Sequence, residues 1–177
     1  MRYSQRLFAG WVDPLRALSS EEEQRAVFQL LALDRVFKEK PLVARRFADR
    51  SLSREVRAGW LMQAAALKAS DPVMLVVERL LGEEGMGLWS AFFHDYLRFR
   101  ERRGLGRLYL VKSQSALTDA EQKQLQLFLE KRFSQPATLY PINDPTVKAG
   151  ARIESLDGWV LDATLEGRLN RLVLSLA

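Results

Sequence analysis

The chain has 177 residues, 47% hydrophobic and 28% charged, with a net charge of +5. That is the balance of an ordinary globular protein with apolar material for one core or two small ones. It contains no cysteine and one histidine, His94, which excludes a disulfide framework, a thiolate zinc site, a cysteine nucleophile and a histidine-rich metal centre.

In chain order, the first hundred residues carry helical periodicity. Tyr3, Leu7, Phe8, Trp11, Leu15 and Leu18 recur at helical spacing, with Pro14 placed to weaken or kink the helix near its end. Arg2, Arg6, Asp13 and Arg16 break any secretory apolar core, and no transit peptide is expected ahead of this pattern. Ser20 followed by Glu23 predicts a capping box opening a helix with Phe28, Leu31, Val36 and Phe37. Pro41 opens a short helix through Phe47, and Ser53 starts another carrying Val56, Trp60, Leu61, Ala64 and Leu67. Asp71-Pro72 is a helix-start signal for a segment running to about Leu81. The longest apolar runs, near Leu61–Leu67 and Val73–Val77, are too short to span a membrane. Gly82 and Gly85 break the pattern before a long helix from Met86 to Arg102. Six short helices with short connections predict an antiparallel bundle.

Around Gly104 and Gly106 the character changes, placing a domain boundary between residues 105 and 106. Leu108 to Val111 reads as a strand. Thr118-Asp119-Ala120-Glu121 predicts a capping box for a helix with Leu125, Leu129 and Phe133 on its apolar stripe. Thr138 to Ile142 reads as a second strand. Asp157-Gly158, between strands near Arg152–Leu156 and Trp159–Asp162, predicts a two-residue hairpin with positive φ at both turn positions. A terminal helix from about Thr164 carries Leu165, Leu169, Leu172, Val173 and Leu176, with Arg168 and Arg171 opposite. The expected fold class is mainly α: a six-helix antiparallel bundle over residues 1–105, then a small α+β domain over 106–177.

Little in this order points to chemistry. There is no phosphate loop, nucleophile elbow or dinucleotide-binding glycine fingerprint. Glu21, Glu22 and Glu23 read as first-turn acids favoured by the helix dipole. His94 reads as a partly exposed helix residue. Arg98, Arg100, Arg102, Arg103 and Arg107, interleaved with Tyr96 and Phe99, support the alternative of a basic helical nucleic-acid-binding protein. Helical neighbours two apart point roughly 200° around, so a solvated helix end is the simpler reading. Trp159 either packs across its own sheet or anchors a partner. The terminal helix either covers its own sheet or docks a partner helix.

One block of residues is distinctive in its order: Asp144-Pro145-Thr146-Val147, Ala149-Gly150, Ile153, Asp157-Gly158, Val160, Asp162, and Gly167-Arg168-Leu169 with Arg171-Leu172. With Ser113, Ala116-Leu117, Glu121 and the opening Tyr3, Leu7 and Phe8, it resembles the delta subunit of F-type ATP synthases, the oligomycin-sensitivity-conferring protein of mitochondria. Three departures stand out. Ser4, Arg6 and Trp11 replace alanines usual in the family, Ala163-Thr164 replaces Gly-Ser, and the hairpin glycine follows its acid instead of preceding it.

The resemblance implies a non-catalytic stator subunit with no cofactor or metal. It implies that the bundle binds the N-terminal helix of an alpha subunit in a groove between its first and fifth helices. That groove maps here to Tyr3, Leu7, Phe8 and Trp11 with Val73, Leu75, Val76, Val77 and Leu80. The smaller domain is expected to bind the b subunits of the peripheral stalk, through Trp159, Leu165, Arg168, Leu169, Leu172 and Leu176. The family-motif positions are Asp144, Pro145, Gly150, Asp157, Gly158, Asp162, Gly167 and Arg171. The implied place is the cytoplasmic face of a bacterial inner membrane, with membrane contact only through the complex and no nucleic acid bound.

Overall fold

The computed structural model describes residues 9–68, 71–82, 86–165 and 167. Along them lie α1 (Ala9–Arg16), α2 (Ser20–Glu39), α3 (Pro41–Ala48), α4 (Arg54–Ala64), α5 (Asp71–Gly82), α6 (Met86–Arg102), β1 (Arg107–Ser113), α7 (Asp119–Phe133), β2 (Ala137–Asn143), β3 (Ala151–Ser155) and β4 (Val160–Asp162). The chain divides into two compact units, Met1–Phe99 and Arg100–Ala177, so the last turn of α6 counts with the second.

In the first unit, the helix starts follow capping chemistry. Ser53 accepts the Val56 N–H at 3.3 Å and opens α4. The box that opens α2 is Ser19 with Glu22, one residue earlier than Ser20 with Glu23: the Glu22 carboxylate accepts the Ser19 N–H at 2.9 Å. The run Ser19-Ser20-Glu21-Glu22-Glu23 offers both registers, and the earlier one leaves Glu23 free to turn inward.

Glu23 is accordingly a core residue, 2% exposed, not a solvated first-turn acid. The Tyr96 hydroxyl of α6 donates to it at 2.7 Å. One helical stretch further on, the Trp89 ring N–H donates to Asp34 at 3.0 Å, and Asp34 is 3% exposed. Lys38, one turn along α2, reaches the other Asp34 oxygen at 2.7 Å. Between these polar ties, α6 presents a ladder of rings. Trp89 stacks on Phe93 at 5.7 Å and Phe92 on Tyr96 at 6.3 Å. Phe37 of α2 meets Trp89 edge-on at 5.1 Å, and Trp11 of α1 meets Phe92 at 5.5 Å. Such pairs contribute about 0.5–1.5 kcal/mol each beyond the area they bury. Helix α1 also packs on α5, and α4 packs on both α3 and α5.

The second unit is a four-stranded sheet in the order β2-β1-β3-β4. Strands β1 and β2 are parallel, with α7 as the crossover between them; β3 lies antiparallel on β1, and β4 on β3. Tyr109, Val111, Leu129, Ala137 and Ile153 form the core, and Leu125 and Phe133 of α7 pack against it. Thr118 and Glu121 cap α7 as the sequence predicts. Gly106 has φ +82, and a Cβ there would overlap the Pro136 carbonyl. That carbonyl accepts the Arg107 N–H at 2.9 Å, which starts the β1–β2 ladder. Gly106 is therefore a close-packed position at the root of the sheet.

The hairpin differs from the expected two-residue turn. Glu154 pairs with Val160, and the Ser155 N–H donates to the Trp159 carbonyl at 2.8 Å, so Leu156, Asp157 and Gly158 all belong to the loop. Gly158 N–H closes a turn on the Ser155 carbonyl at 3.1 Å, and only Gly158 of this pair has positive φ, +96. A three-residue loop ending on a left-handed glycine needs that φ once, where the two-residue turn would need it twice.

Tyr96→Phe keeps the ring stack and deletes the hydroxyl that reaches the buried Glu23 carboxylate. We expect it to lower unfolding free energy by about 1.5–3 kcal/mol, the range for hydrogen bonds to charged groups, measured as a shifted midpoint in urea.

Candidate functional site

The expected head-binding residues fall into two sets. Tyr3, Leu7 and Phe8 lie outside the described residues. Trp11, Val73, Val76, Val77 and Leu80 are buried core residues, holding α1 and α5 within their own unit. Their apolar spacing serves that internal contact. Helix α5 presents a different set to solvent: Leu75, 45% exposed, with Glu78 and Arg79 one turn on. A Cβ at Gly10 of α1 would stand 3.1 Å from the guanidinium of the exposed Arg79 of α5, the far end of a flexible side chain. Beside this pair, α4 and α5 flank a groove of about 510 Å³ lined by Ala58, Gly59, Met62, Met74 and Leu81, with Glu55 and Glu78 among its polar residues. Small residues on α4 let another chain approach its backbone, and methionine adapts to irregular apolar contact.

The expected stalk-binding residues divide similarly. Arg168, Leu169, Leu172 and Leu176 lie outside the described residues, as does the family-motif residue Arg171. Trp159 packs inward, edge-on to Phe133 at 4.9 Å and to Tyr109 at 6.1 Å, which favours its core role. Leu165 is exposed. A groove of about 460 Å³ opens between the start of α7 and the sheet, with Leu117, Glu121, Leu125, Ile153 and Ala163 among its lining.

The family-motif residues do structural work that can be followed atom by atom. Asp144 accepts the Thr146 hydroxyl at 2.6 Å and its N–H at 2.9 Å, closing the turn that carries exposed Pro145. Those two bonds hold the Asp144 carboxyl below the usual aspartate range. Asp162 does the same for Thr164, whose hydroxyl in turn accepts the Gly167 N–H at 3.0 Å. A Cβ on Gly167 would stand 2.5 Å from the Asp162 carboxyl carbon. Gly150, at φ +87, passes so near the Ala163 carbonyl that a Cβ would overlap it. Asp144, Gly150, Asp162 and Gly167 thus pin the chain where it leaves β2 and again where it leaves β4.

Asp157 lies in the hairpin loop. The Ser155 hydroxyl donates to it, and Arg107 approaches at 3.2 Å. The Ser155 bond holds its carboxyl below the usual range against the opposing effect of burial, with a lesser contribution from the Arg107 charge. Arg107 also pairs with Glu101 at 3.4 Å and lies 5.5 Å over the Phe133 ring. The arginine run is thereby divided. Arg100 is buried and donates to the Thr138 hydroxyl at 3.3 Å, Arg107 is engaged with two acids, and Arg98, Arg102 and Arg103 are exposed. Among the described residues no three His, Asp or Glu side chains are grouped to hold a metal ion, and no helix is long and apolar enough to cross a membrane.

Two compact units, each with its own core and exposed apolar side chains on its helices, form the frame of a binding subunit. The sequence matches the ATP synthase delta (OSCP) subunit family over residues 15–176, and the chain belongs to that family. It is a family of structural, non-catalytic stator subunits in the peripheral stalk of the membrane-associated F-type ATP synthase. No individual curated protein sequence matches the chain.

Two outcomes follow for the second unit. Gly150→Ala and Gly158→Ala both put a side chain at positive φ, but only Gly150 also meets a carbonyl, whereas Gly158 faces open space. Gly150→Ala is expected to lower the melting temperature clearly more than Gly158→Ala in parallel scans. Because Asp157 is held below its unfolded value, its contribution is complete above about pH 3.9 and fades as pH falls through the lowered folded value. Asp157→Asn should therefore lower stability near neutral pH and converge on wild type in strong acid, read from melts across an acid pH series.

Proposed function

We propose that the chain is the torque-resisting connector of its synthase, joining the catalytic alpha/beta head to the b-subunit stalk. The observation that carries this reading is the pairing of family membership with two separate cores, each bearing exposed apolar side chains: Leu75 on α5 of the first unit, Leu127, Phe128 and Leu165 on the second. A linker between a head turned by its rotor and a fixed stalk must grip both. Amphipathic helices laid on apolar helical surfaces provide such grips, with a few anchors carrying most of the binding free energy.

On this reading the first unit is a six-helix bundle that takes the alpha-subunit N-terminal helix along α1 and α5. The residues that touch it are the solvent-facing ones around Leu75, while Val73, Val76, Val77 and Leu80 keep the two helices together beneath. The second unit takes the b subunits. The protein sits peripherally at the cytoplasmic face of a bacterial inner membrane, held there by the complex.

The test uses a synthetic peptide of the cognate alpha-subunit N-terminus and calorimetric titration. Leu75→Asp is expected to weaken binding at least about tenfold with helical content retained, since Leu75 is accessible. Val76→Asp places a carboxylate in the core and is expected to unfold the unit. Undiminished binding by Leu75→Asp removes α5 from the head contact.

A further inference from the structure

The groove of about 510 Å³ between α4 and α5 has no part in the connector reading. Ala58, Gly59 and Met62 of α4 form one wall, and Met74 and Leu81 of α5 the other. Its volume is that of a small-molecule site, and such sites pair apolar walls with a few polar groups. Methionine suits those walls, because its unbranched, polarisable side chain adapts to an irregular guest. Met62 and Met74 are both partly exposed, so a guest can reach them. Gly59 has no internal reason to be glycine. It is exposed in the interior of α4, and a Cβ built on it would meet nothing within 4 Å. Its φ is not positive either. A glycine there weakens the helix relative to alanine. What it achieves is to leave that part of the groove without a side chain.

The charge at the groove runs against that of the chain. Glu55 and Glu78 line it with Arg54, an excess of negative charge on a protein whose net charge is +5. Glu78 is exposed and has no ion-pair partner among the described residues. Glu55 sits in the first turn of α4. Its own backbone N–H, and after it the Ser53 hydroxyl, hold its carboxyl below the usual glutamate range and keep it ionised. An open apolar groove with carboxylates at its edge is complementary to one kind of guest, an apolar body carrying a positive charge.

We propose that the α4–α5 groove binds a small apolar cation, an alkyl or alicyclic ammonium. Its hydrocarbon body lies against Met62, Met74 and Leu81, and its ammonium group points to Glu78 and Glu55. An anion of the same shape is turned away by the same two carboxylates. The guest touches both helices, so it ties α4 to α5 and stabilises the first unit by linkage. This site goes beyond the connector reading and stands without it.

The probe is adamantylamine, titrated into the full-length chain with carbon-13 in its methionine methyl groups. Adamantanol serves as the neutral counterpart. Saturable shifts of the Met62 and Met74 methyl signals are expected, assigned with Met62→Leu and Met74→Leu, together with a raised melting temperature. Adamantanol should bind at least about fivefold more weakly, and Glu78→Gln should weaken the amine by a similar factor. Added salt should weaken the amine and leave the alcohol unchanged. Gly59→Leu puts a side chain into open space, so the free chain should fold and melt no lower than wild type, yet show no methyl shifts. Absence of saturable shifts, equal affinity for amine and alcohol, or a response that survives Gly59→Leu overturns the proposal. So does displacement of the amine by the synthetic alpha-subunit peptide, when that peptide's own binding is lost in Gly59→Leu and kept in Leu75→Asp, since the groove is then a site for a helix.

Discussion

The first unit depends on how α6 is held against α2. Two carboxylates, Glu23 and Asp34, are taken almost wholly out of water, and each receives a hydrogen bond from an aromatic residue of α6. A buried acid without partners costs several kcal/mol; one that is hydrogen-bonded is tolerated and becomes specific, because a slide of α6 by one turn would strip both donors at once. The ring ladder cannot supply that specificity unaided. Stacked rings along a helix look alike after a shift of one turn, and hydrogen bonds do not. With α6 registered on α2, the Phe92 ring is in place for Trp11, and α1 in turn lies on α5.

The second unit solves a different problem with the same economy of means. Its central strand, β1, pairs parallel on one side and antiparallel on the other, so the chain must turn sharply after β2 and again after β4. At both places an aspartate accepts from the N–H and hydroxyl of a threonine two residues on. Gly150 and the Ala163 carbonyl come together between those turns, at an approach that leaves no room for a side chain. Within the ordered block that first marks the sequence, Asp144, Gly150, Asp162 and Gly167 are therefore turn locks.

The legible parts of the sequence were those whose cause is local. The limits of α6 follow from glycines ahead of Met86 and a strong apolar period, and the α7 cap follows from Thr118 and Glu121 alone. The α2 cap slipped by one because two serines and three glutamates allow two registers. The hairpin loop is one residue longer than Asp157-Gly158 alone indicates, because nothing local shows that Leu156 has left the strand. What could not be read was set at a distance. Glu23 meets Tyr96 across 73 residues, and Asp34 meets Trp89 across 55. Charged residues carry no sign of burial in a sequence when their partners are that remote. The outer face of α7 is hidden in the sequence for another reason: Leu125, Leu129 and Phe133 already complete one apolar stripe at helical spacing, and Leu127 and Phe128 fall outside it.

The groove residues show the sharper limit. Apolar periodicity reports that a helix face leaves water, and a face buried against a sister helix has the same period as one buried against another subunit. Val76 and Leu75 are neighbours of equal character in the sequence, yet one is wholly buried and the other nearly half exposed. For a proposed connector this distinction has mechanical weight. Force applied to a side chain that also holds the core would be resisted by the folding free energy of the unit, which is small for a domain this size. Force applied to anchors outside the core loads the interface first and leaves the fold intact. A subunit that must bear torque is better served when the side chains that grip are different from those that fold, and on both α5 and α7 the inner and outer apolar faces are carried by separate residues.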